Sequence, residues 1–227
     1  MSYATESNRR QPAAAPFSAE AFQAQTGAPD AAVQKLRTYL ATLERWQPKI
    51  NLVGTKTLAD PWRRHFLDSA QLLALVPPDA RHLVDIGSGA GFPGLVLAVL
   101  AAGGRRPELQ VTVIESDQRK CIFLNEIKRL MNIPVTVHQG RAEAYAGRPA
   151  DVATARACAP LTRLLPWVSA VSTVPARALL LKGEGAGDEL TAAEKDWKMR
   201  VHQHPSVTDP RGVILEVTDL ARRPDDD

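Results

Sequence analysis

Residues 83–94 read LVDIGSGAGFPG, and this stretch decides the fold. An apolar run leads into Asp85, and glycines then stand at positions 87, 89, 91 and 94. Because glycine lacks a Cβ, its backbone can turn sharply and lie close to a bound molecule. A buried strand that ends in such a loop is typical of an α/β domain that binds a nucleotide-like ligand.

The segments after this loop alternate between short, apolar, β-rich runs and helix-length stretches. Near-continuous apolar strands that alternate with helices indicate a mostly parallel sheet covered on both faces. We therefore predict one α/β domain over residues 79–220, with ligands bound beyond the carboxyl ends of its strands. The predicted strands are 82–86, 111–115, 135–139, 151–155, 177–182, 198–204 and 212–217.

Two amphipathic helices precede the sheet. One begins at Asp30, and the next begins at Asp60, where Pro61 suits the first helical position. These helices form a predicted N-terminal extension over residues 29–78, which must pack on the sheet because it cannot bury two apolar faces alone. Residues 1–28 are expected to be a disordered tail, and residues 221–227 a flexible one.

Composition restricts the function classes. The longest apolar run, residues 95–102, is far shorter than the roughly 20 residues needed to span a bilayer, and the N-terminus lacks the apolar core of a secretory signal. Cys121 and Cys158 have no neighbouring ligand residues, which favours neither a disulfide nor a zinc site. We expect a cytoplasmic, monomeric protein without a metal. The net charge of +3 does not decide between a polyanionic partner and solvated helix faces.

The glycine loop is compatible with two kinds of cofactor. Residues 89–94 match the dinucleotide pattern GxGxxG, and Glu115 follows at a suitable distance, so a nicotinamide oxidoreductase is one alternative. However, the glycines begin already at Gly87, and the carboxylate of Asp85 would oppose a pyrophosphate. Asp85 can hold the ammonium group of S-adenosylmethionine or a water near it, and Glu115 is placed to accept both ribose hydroxyls. We therefore expect S-adenosylmethionine.

Five blocks along the chain carry a family resemblance. They are RHFLDS (64–69), DIGSGAGFPG (85–94), GRAE (140–143), TARACAPL (154–161) and LLLKGE (179–184). With these blocks in this order, residues 30–220 resemble the bacterial glucose-inhibited division B family of small-subunit rRNA guanine-N7 methyltransferases. The resemblance implies a class I, Rossmann-like fold of seven strands with a helical N-terminal extension. It also implies S-adenosylmethionine as cofactor and, as substrate, a guanine of 16S rRNA in the 30S subunit.

The resemblance and the residue pattern together give a list of candidate site residues. By resemblance, Gly87 and Phe92 line the methionine and ribose side of the cofactor, Ala142 and Glu143 the adenine, and Arg156 the active-site mouth. We expect Arg156 to be catalytic. The expected cofactor-binding residues are Asp85, Gly87, Gly89, Gly91, Phe92, Glu115, Ala142, Glu143 and Arg156, and the expected RNA-binding residues are Arg63, Arg64, His65 and Lys182.

Guanine N7 carries no proton, so its methylation requires alignment rather than a general base. Cys158 is the candidate nucleophile if the reaction were cytosine-C5 methylation, although a small buried residue after a strand explains it as well. The stretch ARACAP also lacks the aromatic residue of the loop that exocyclic-amine methyltransferases use. A methyltransferase-like rRNA-binding factor that has lost catalysis is the remaining alternative.

Overall fold

The computed structural model describes residues 17–224, apart from the side chain of Arg105. The strands are β1 (His82–Ile86), β2 (Gln110–Glu115), β3 (Val135–Gln139), β4 (Val152–Arg156), β5 (Ala176–Lys182), β6 (Trp197–Pro205) and β7 (Val213–Arg222). The α-helices are α1 (Ala19–Thr26), α2 (Asp30–Trp46), α3 (Asp68–Ala70), α4 (Gly94–Leu100), α5 (Gln118–Met131), α6 (Leu161–Val171) and α7 (Ala186–Ala193).

The strands form one sheet in the order β3-β2-β1-β4-β5-β7-β6. The first five are parallel, whereas β7 runs antiparallel between β5 and β6. The strand order reverses at β1, which has β2 on one side and β4 on the other. This reversal opens a crevice at the carboxyl ends of β1 and β4, where the glycine loop also lies. The predicted mostly parallel seven-stranded sheet is confirmed.

The sheet separates two apolar cores. One core contains buried residues of α2, α4 and α5 together with those of the segment 62–72, and the other contains buried residues of α6 and α7. Both faces of the central parallel strands β1, β2, β4 and β5 are therefore covered, which explains why those strands are mostly apolar. The N-terminal helices share the first core with the sheet, so the extension packs on the sheet as expected.

The N-terminal boundary needs a correction. Residues 17–28 are ordered, because α1 is capped by Ser18, whose Oγ accepts a hydrogen bond from the Ala21 N–H at 3.1 Å. Phe22 is fully buried, and its ring centroid lies 5.4 Å from that of Trp62. Residues 1–16 of the predicted tail lie outside the described residues. At the other end β7 reaches Arg222, so the sheet extends past the predicted limit of 220, and residues 225–227 are not described.

The helix that carries the RHFLDS block is irregular. Residues 62–74, here called the composite helix, begin with a π-helical turn (Trp62–Leu67), continue through α3 and end in a 3-10 turn (Gln71–Ala74). Such wide turns are rare and often lie at functional sites. Here the composite helix holds His65 buried beside the carboxyl edge of the sheet.

A contact between α2 and the glycine loop fixes the position of the extension. The Tyr39 hydroxyl donates a hydrogen bond to the Ala90 carbonyl, and the Tyr39 ring stacks on Phe92 with centroids 5.1 Å apart. Gly91 adopts a φ of +96°, which L side chains rarely adopt. A Cβ at Gly91 would lie 2.5 Å from the Tyr39 Oη and 2.6 Å from the Leu95 Cδ1.

We expect Gly91→Ala to destabilise the fold by about 2–4 kcal/mol, because it adds a strained φ and a steric overlap. Urea unfolding measures the change. Gly187→Ala in α7 is the matched control, since nothing lies within 4 Å of its added Cβ. This control should be neutral or gain up to about 1 kcal/mol. Equal stability of the two variants would contradict the close contact between α2 and the glycine loop.

Candidate functional site

A cavity of about 1070 Å³ lies at the carboxyl edge of the sheet. Its floor is the glycine loop together with the ends of β1, β2, β4 and β5. Its walls come from the segment 52–57, the composite helix, the turn 140–143, the start of α6 and the turn 206–212 between β6 and β7. The cavity therefore joins the N-terminal extension, the glycine loop and the antiparallel edge of the sheet.

The side chain of Asp85 lies behind the cavity wall. It is fully buried, and its Oδ2 accepts hydrogen bonds from the Ser88 hydroxyl at 2.5 Å and the Gly94 N–H at 3.1 Å. Its Oδ1 accepts from the Thr154 hydroxyl at 2.9 Å. Burial raises the pKa of Asp85 to about 6, although hydrogen bonds from all three donors act to lower it. The expected direct contact between Asp85 and a ligand ammonium is therefore corrected: Asp85 holds the loop.

Glu115 lines the cavity, and each of its two carboxylate oxygens accepts one backbone hydrogen bond. Its Oε2 accepts the Gly89 N–H at 2.9 Å, and its Oε1 accepts the Asp117 N–H at 2.8 Å. Each oxygen retains a second lone pair. Beside it, Gly87 has a φ of +62°, and a Cβ there would overlap the Cys158 sulfur. This part of the cavity is a bare backbone surface next to a carboxylate.

Arg156 ends β4 and is held by three acceptors. Its guanidinium donates to the Arg64 carbonyl at 2.9 Å, the Asp68 carboxylate at 3.3 Å and His65 Nδ1 at 3.0 Å. It also lies over the Phe92 ring, 4.8 Å from the centroid. Further N–H groups of the guanidinium remain for the cavity that Arg156 lines. The network therefore fixes the guanidinium and leaves it able to contact a ligand.

The hydrogen bonds of His65 define its tautomer. Its Nδ1 accepts from Arg156, so its Nε2 carries the proton and donates to the Thr57 hydroxyl at 2.8 Å, which in turn donates to the Gly54 carbonyl at 2.6 Å. Burial, with added repulsion from Arg156 and Arg64, lowers the pKa of His65 to about 3. His65 is thus neutral, with both nitrogens occupied. The expectation that it contacts RNA is corrected, since it is a buried positioning residue.

The ammonium group of Lys182 is also bound by other residues of this chain. Its side chain is 7% exposed, and its ammonium donates to the Ala159 carbonyl at 2.6 Å and to Glu189 at 2.7 Å. The same Glu189 carboxylate accepts the Leu161 N–H at 2.8 Å. Lys182 therefore fastens the loop after β4 to α7. Its role as an RNA contact stays a prediction, and binding a phosphate there would break this ion pair.

The two remaining predicted RNA contacts differ in position. Arg63 does not line the cavity; it pairs with Asp60 at 3.2 Å and lies over the Phe17 ring. Arg64 does line the cavity, but it pairs with Asp209 at 3.0 Å. The RHFLDS block thus connects elements of this chain to one another. Arg63 lies in the extension outside the cavity lining, and its contact with RNA stays a prediction.

Most of the predicted cofactor residues converge on the cavity. The structure places Gly87, Gly89, Phe92, Glu115, Ala142, Glu143 and Arg156 on its lining. Gly91 instead faces Tyr39, so its expected cofactor contact is corrected to a packing role. The sequence interpretation missed the walls at 52–57 and 206–212 and the residues Lys120, Arg141, Arg163 and Trp167. Arg141 lies inside the GRAE block but was not itself singled out, and Lys120, Arg163 and Trp167 belong to no quoted block.

Cys158 lines the cavity without the features of a nucleophile. Burial, with the nearby negative charges of Asp85 and Glu115, raises the pKa of its thiol to about 11. His65, a cavity-lining imidazole, has both nitrogens engaged elsewhere. A thiol with a raised pKa and no base remains protonated at neutral pH, so covalent catalysis by Cys158 is disfavoured.

Comparisons with known proteins agree on one family. The family model described as rRNA small subunit methyltransferase G matches residues 32–214. A protein of Rhodospirillum rubrum named ribosomal RNA small subunit methyltransferase G is 49% identical over 203 residues, which cover 89% of this chain and 98% of that protein. A protein of the same name from Rhodospirillum centenum is 49% identical and covers 96% of this chain and 97% of its own.

Solved structures agree on the fold. A cofactor-bound protein from MTB matches with a TM-score of 0.60 at 17% identity, covering 92% of this chain and 99% of that one. A putative class I S-adenosylmethionine-dependent methyltransferase from Listeria monocytogenes also has a TM-score of 0.60, at 11% identity, covering 85% and 69%. The predicted class I methyltransferase fold is confirmed. Within residues 17–224, no helix has the length and apolarity that crossing a membrane requires.

The buried neutral His65 predicts a pH dependence of stability. Its pKa is about 3 in the folded state and about 6.5 in an unfolded chain, so the unfolded state binds more protons between these values. The stability that the neutral form of His65 contributes is fully present above pH 6.5 and is lost as the pH falls toward 3. We expect wild type to lose about 2–3 kcal/mol from this group between pH 7 and 4.5.

His65→Asn keeps an acceptor for Arg156 but removes the titrating ring. Its urea-unfolding free energy should therefore fall less than that of wild type over the same pH interval. Parallel pH profiles for the two proteins would mean that His65 does not titrate as a buried group.

Proposed function

Since the chain belongs to the rRNA small subunit methyltransferase G family, we propose that it transfers a methyl group from S-adenosylmethionine to N7 of a guanine in 16S rRNA. Membership makes the chain an S-adenosylmethionine-dependent rRNA methyltransferase. The atom and the base are the finer part of the proposal. They rest on the family resemblance and on the chemistry of the cavity.

The residues at one end of the cavity fit S-adenosylmethionine. Gly87 and Gly89 expose backbone at positive φ, and the open lone pairs of Glu115 can accept two ribose hydroxyls. Ala142 and Glu143, across the cavity floor, suit the adenine. When bound, this cofactor supplies a methyl group on a positively charged sulfur. The region from Gly87 to Ala142 is called the cofactor end below.

The observation that carries the proposal is that the described residues of the cavity include no reactive thiolate and no unoccupied imidazole. Each carboxylate on the lining already accepts a hydrogen bond or an ion pair, the imidazole of His65 is neutral and occupied, and the thiol of Cys158 is protonated. Methylation of an exocyclic amine or of cytosine C5 requires proton removal or covalent attack. Guanine N7 offers a lone pair without a proton, so orientation suffices.

Arg156 can orient the base through O6 of guanine. The lone pair of N7 must remain free for the methyl group, so a guanidinium N–H can donate to O6 or to a phosphate but not to N7 during transfer. The purine gains positive charge as it is methylated, and an isolated arginine would oppose this change. The ion pair with Asp68, at 3.3 Å, offsets the charge of Arg156.

The other end of the cavity has room for the base. It lies between the segment 52–57 and the turn 206–212, next to Arg156. An RNA base that has left its stack can enter such a cleft and present its edge to fixed donors. The hydrogen bond from Thr208 to Asp68, at 2.6 Å, fixes the turn relative to the Arg156 network. We call this region the acceptor end.

Neither the nicotinamide oxidoreductase nor the inactive rRNA-binding factor gains support. The family and the structural neighbours are methyltransferases, which disfavours a nicotinamide oxidoreductase. Arg156, Glu115 and the glycine loop lie together on one cavity, which favours a competent enzyme over an inactive binding factor. Monomeric state, absence of metal and cytoplasmic location stay predictions.

The test is a methyl-transfer assay with labelled S-adenosylmethionine and 30S subunits from cells that lack the methyltransferase. Reduction with borohydride followed by aniline cleaves RNA at 7-methylguanosine. We expect label in 16S rRNA and one new cleavage site. Label without cleavage would exclude N7 as the target, and no label in 30S subunits would count against this substrate.

Glu115→Ala should weaken cofactor binding, because it removes charge-assisted hydrogen bonds of about 1.5–3 kcal/mol. Calorimetry should show a dissociation constant for S-adenosylmethionine raised by about one to two orders of magnitude. Glu126→Ala in α5 is the control and should bind normally, since the half-buried Glu126 pairs with Arg129 and does not line the cavity. Unchanged affinity in Glu115→Ala would remove Glu115 from the cofactor site.

A further inference from the structure

The cationic side chains of the cavity fall into two groups. Its lysine and arginine residues are Arg64, Lys120, Arg141, Arg156, Arg163 and Lys182. Three of them have a carboxylate partner: Arg64 pairs with Asp209, Arg156 with Asp68, and Lys182 with Glu189. The side chains of the other three, called the rim cations, have no hydrogen bond or ion pair within residues 17–224. The rim cations are Lys120, Arg141 and Arg163.

The rim cations come from three separate elements. Lys120 lies in the first turn of α5 after β2, Arg141 in the turn after β3, and Arg163 in the first turn of α6 after β4. Strands β3, β2, β1 and β4 are neighbours in the sheet, so these elements surround the cofactor end of one cavity. Arg141 and Arg163 are exposed and Lys120 is half-buried, so core packing does not account for them.

Arg163 is held in place although it lacks an ion-pair partner. Its guanidinium lies over the Trp167 ring, 5.7 Å from the centroid. Trp167 is fixed in turn, because its indole N–H donates to Glu143 at 2.5 Å. A guanidinium that is already oriented loses less conformational freedom on binding, and its planar N–H groups match the geometry of a phosphate.

We propose that Lys120, Arg141 and Arg163 bind phosphate groups of the substrate RNA, so that the strand crosses the cofactor end of the cavity. This inference rests on the proposed function, which makes the substrate a polyanion. Phosphates that bind the rim cations displace only solvent ions. A phosphate that binds Arg64 must compete with Asp209 and then face a released carboxylate. The composite helix, whose Arg64 is paired, is thus not the main phosphate contact.

Salt dependence of binding tests this placement. Wild type, the three single variants Lys120→Gln, Arg141→Gln and Arg163→Gln, and the triple variant are bound to unmethylated 30S subunits at fixed Mg²⁺ and increasing monovalent salt. We expect the slope of log affinity against log salt to fall by about 0.7 for each single variant and by about 2 for the triple variant. Trp167→Leu should show part of the Arg163→Gln effect.

Arg200→Gln is the matched control, because it removes the same charge at an 85% exposed arginine of β6 that pairs with Asp219 outside the cavity. It should keep the wild-type slope. An equal loss of slope in Arg200→Gln would mean diffuse attraction and would overturn the proposal.

A second measurement tests whether the rim cations bind RNA phosphates or instead the carboxylate of the cofactor. Calorimetry with S-adenosylmethionine should give the same affinity for the triple variant and wild type. A weaker cofactor affinity together with an unchanged salt slope would assign the rim cations to the cofactor and overturn the proposal. Binding is measured without turnover, so a wild type that binds 30S subunits but transfers no methyl group would refute the proposed function and leave this test intact.

Discussion

The buried carboxylate of Asp85 is the constraint on which the site depends. It lies one residue before the end of β1 and receives hydrogen bonds from the glycine loop, the start of α4 and Thr154 of β4. A buried carboxylate is costly unless donors surround it, so the loop cannot rearrange without leaving this group unsatisfied. The donors and the carboxylate thus hold the loop in one conformation. That conformation exposes the Gly87 backbone to the cavity and places the Gly89 N–H at Glu115.

Arg156 and its hydrogen-bond partners hold the acceptor end in one conformation, as Asp85 holds the glycine loop at the cofactor end. Through Arg156 and Asp68 this network joins β4, the composite helix and the turn between β6 and β7. Tyr39 adds a second connection, since it bonds to the glycine loop and stacks on Phe92. The N-terminal extension is therefore part of the cavity wall rather than an appendage. This explains why the RHFLDS block, which lies in the extension, belongs with the catalytic domain.

The sequence predicted the sheet well because its central strands β1, β2, β4 and β5 are buried on both faces and read as mostly apolar runs between clear turns. Helix α5 also has local end signals in the sequence, since Asp117 caps it and Asn132 ends it in a left-handed conformation. The sequence pattern did not predict α1, because its eight residues are too few to show a helical period. It also failed at Asp85, because a strand-end carboxylate looks the same whether it faces a ligand or its own loop. The partners that decide between these roles, Ser88 and Thr154, are unremarkable in sequence.

The distribution of charge suits a reaction that places positive charge on a base. At the acceptor end Arg64 and Arg156 each face a carboxylate, so the region is rigid and close to neutral. An unpaired arginine beside the purine would raise the barrier as positive charge develops, whereas a paired one can still donate a hydrogen bond to fix orientation. Unpaired cations are tolerable only farther from the reacting base, and the rim cations lie around the cofactor end. The separation of paired from unpaired cations thus allows one cavity to attract a polyanion and still accommodate a cationic product.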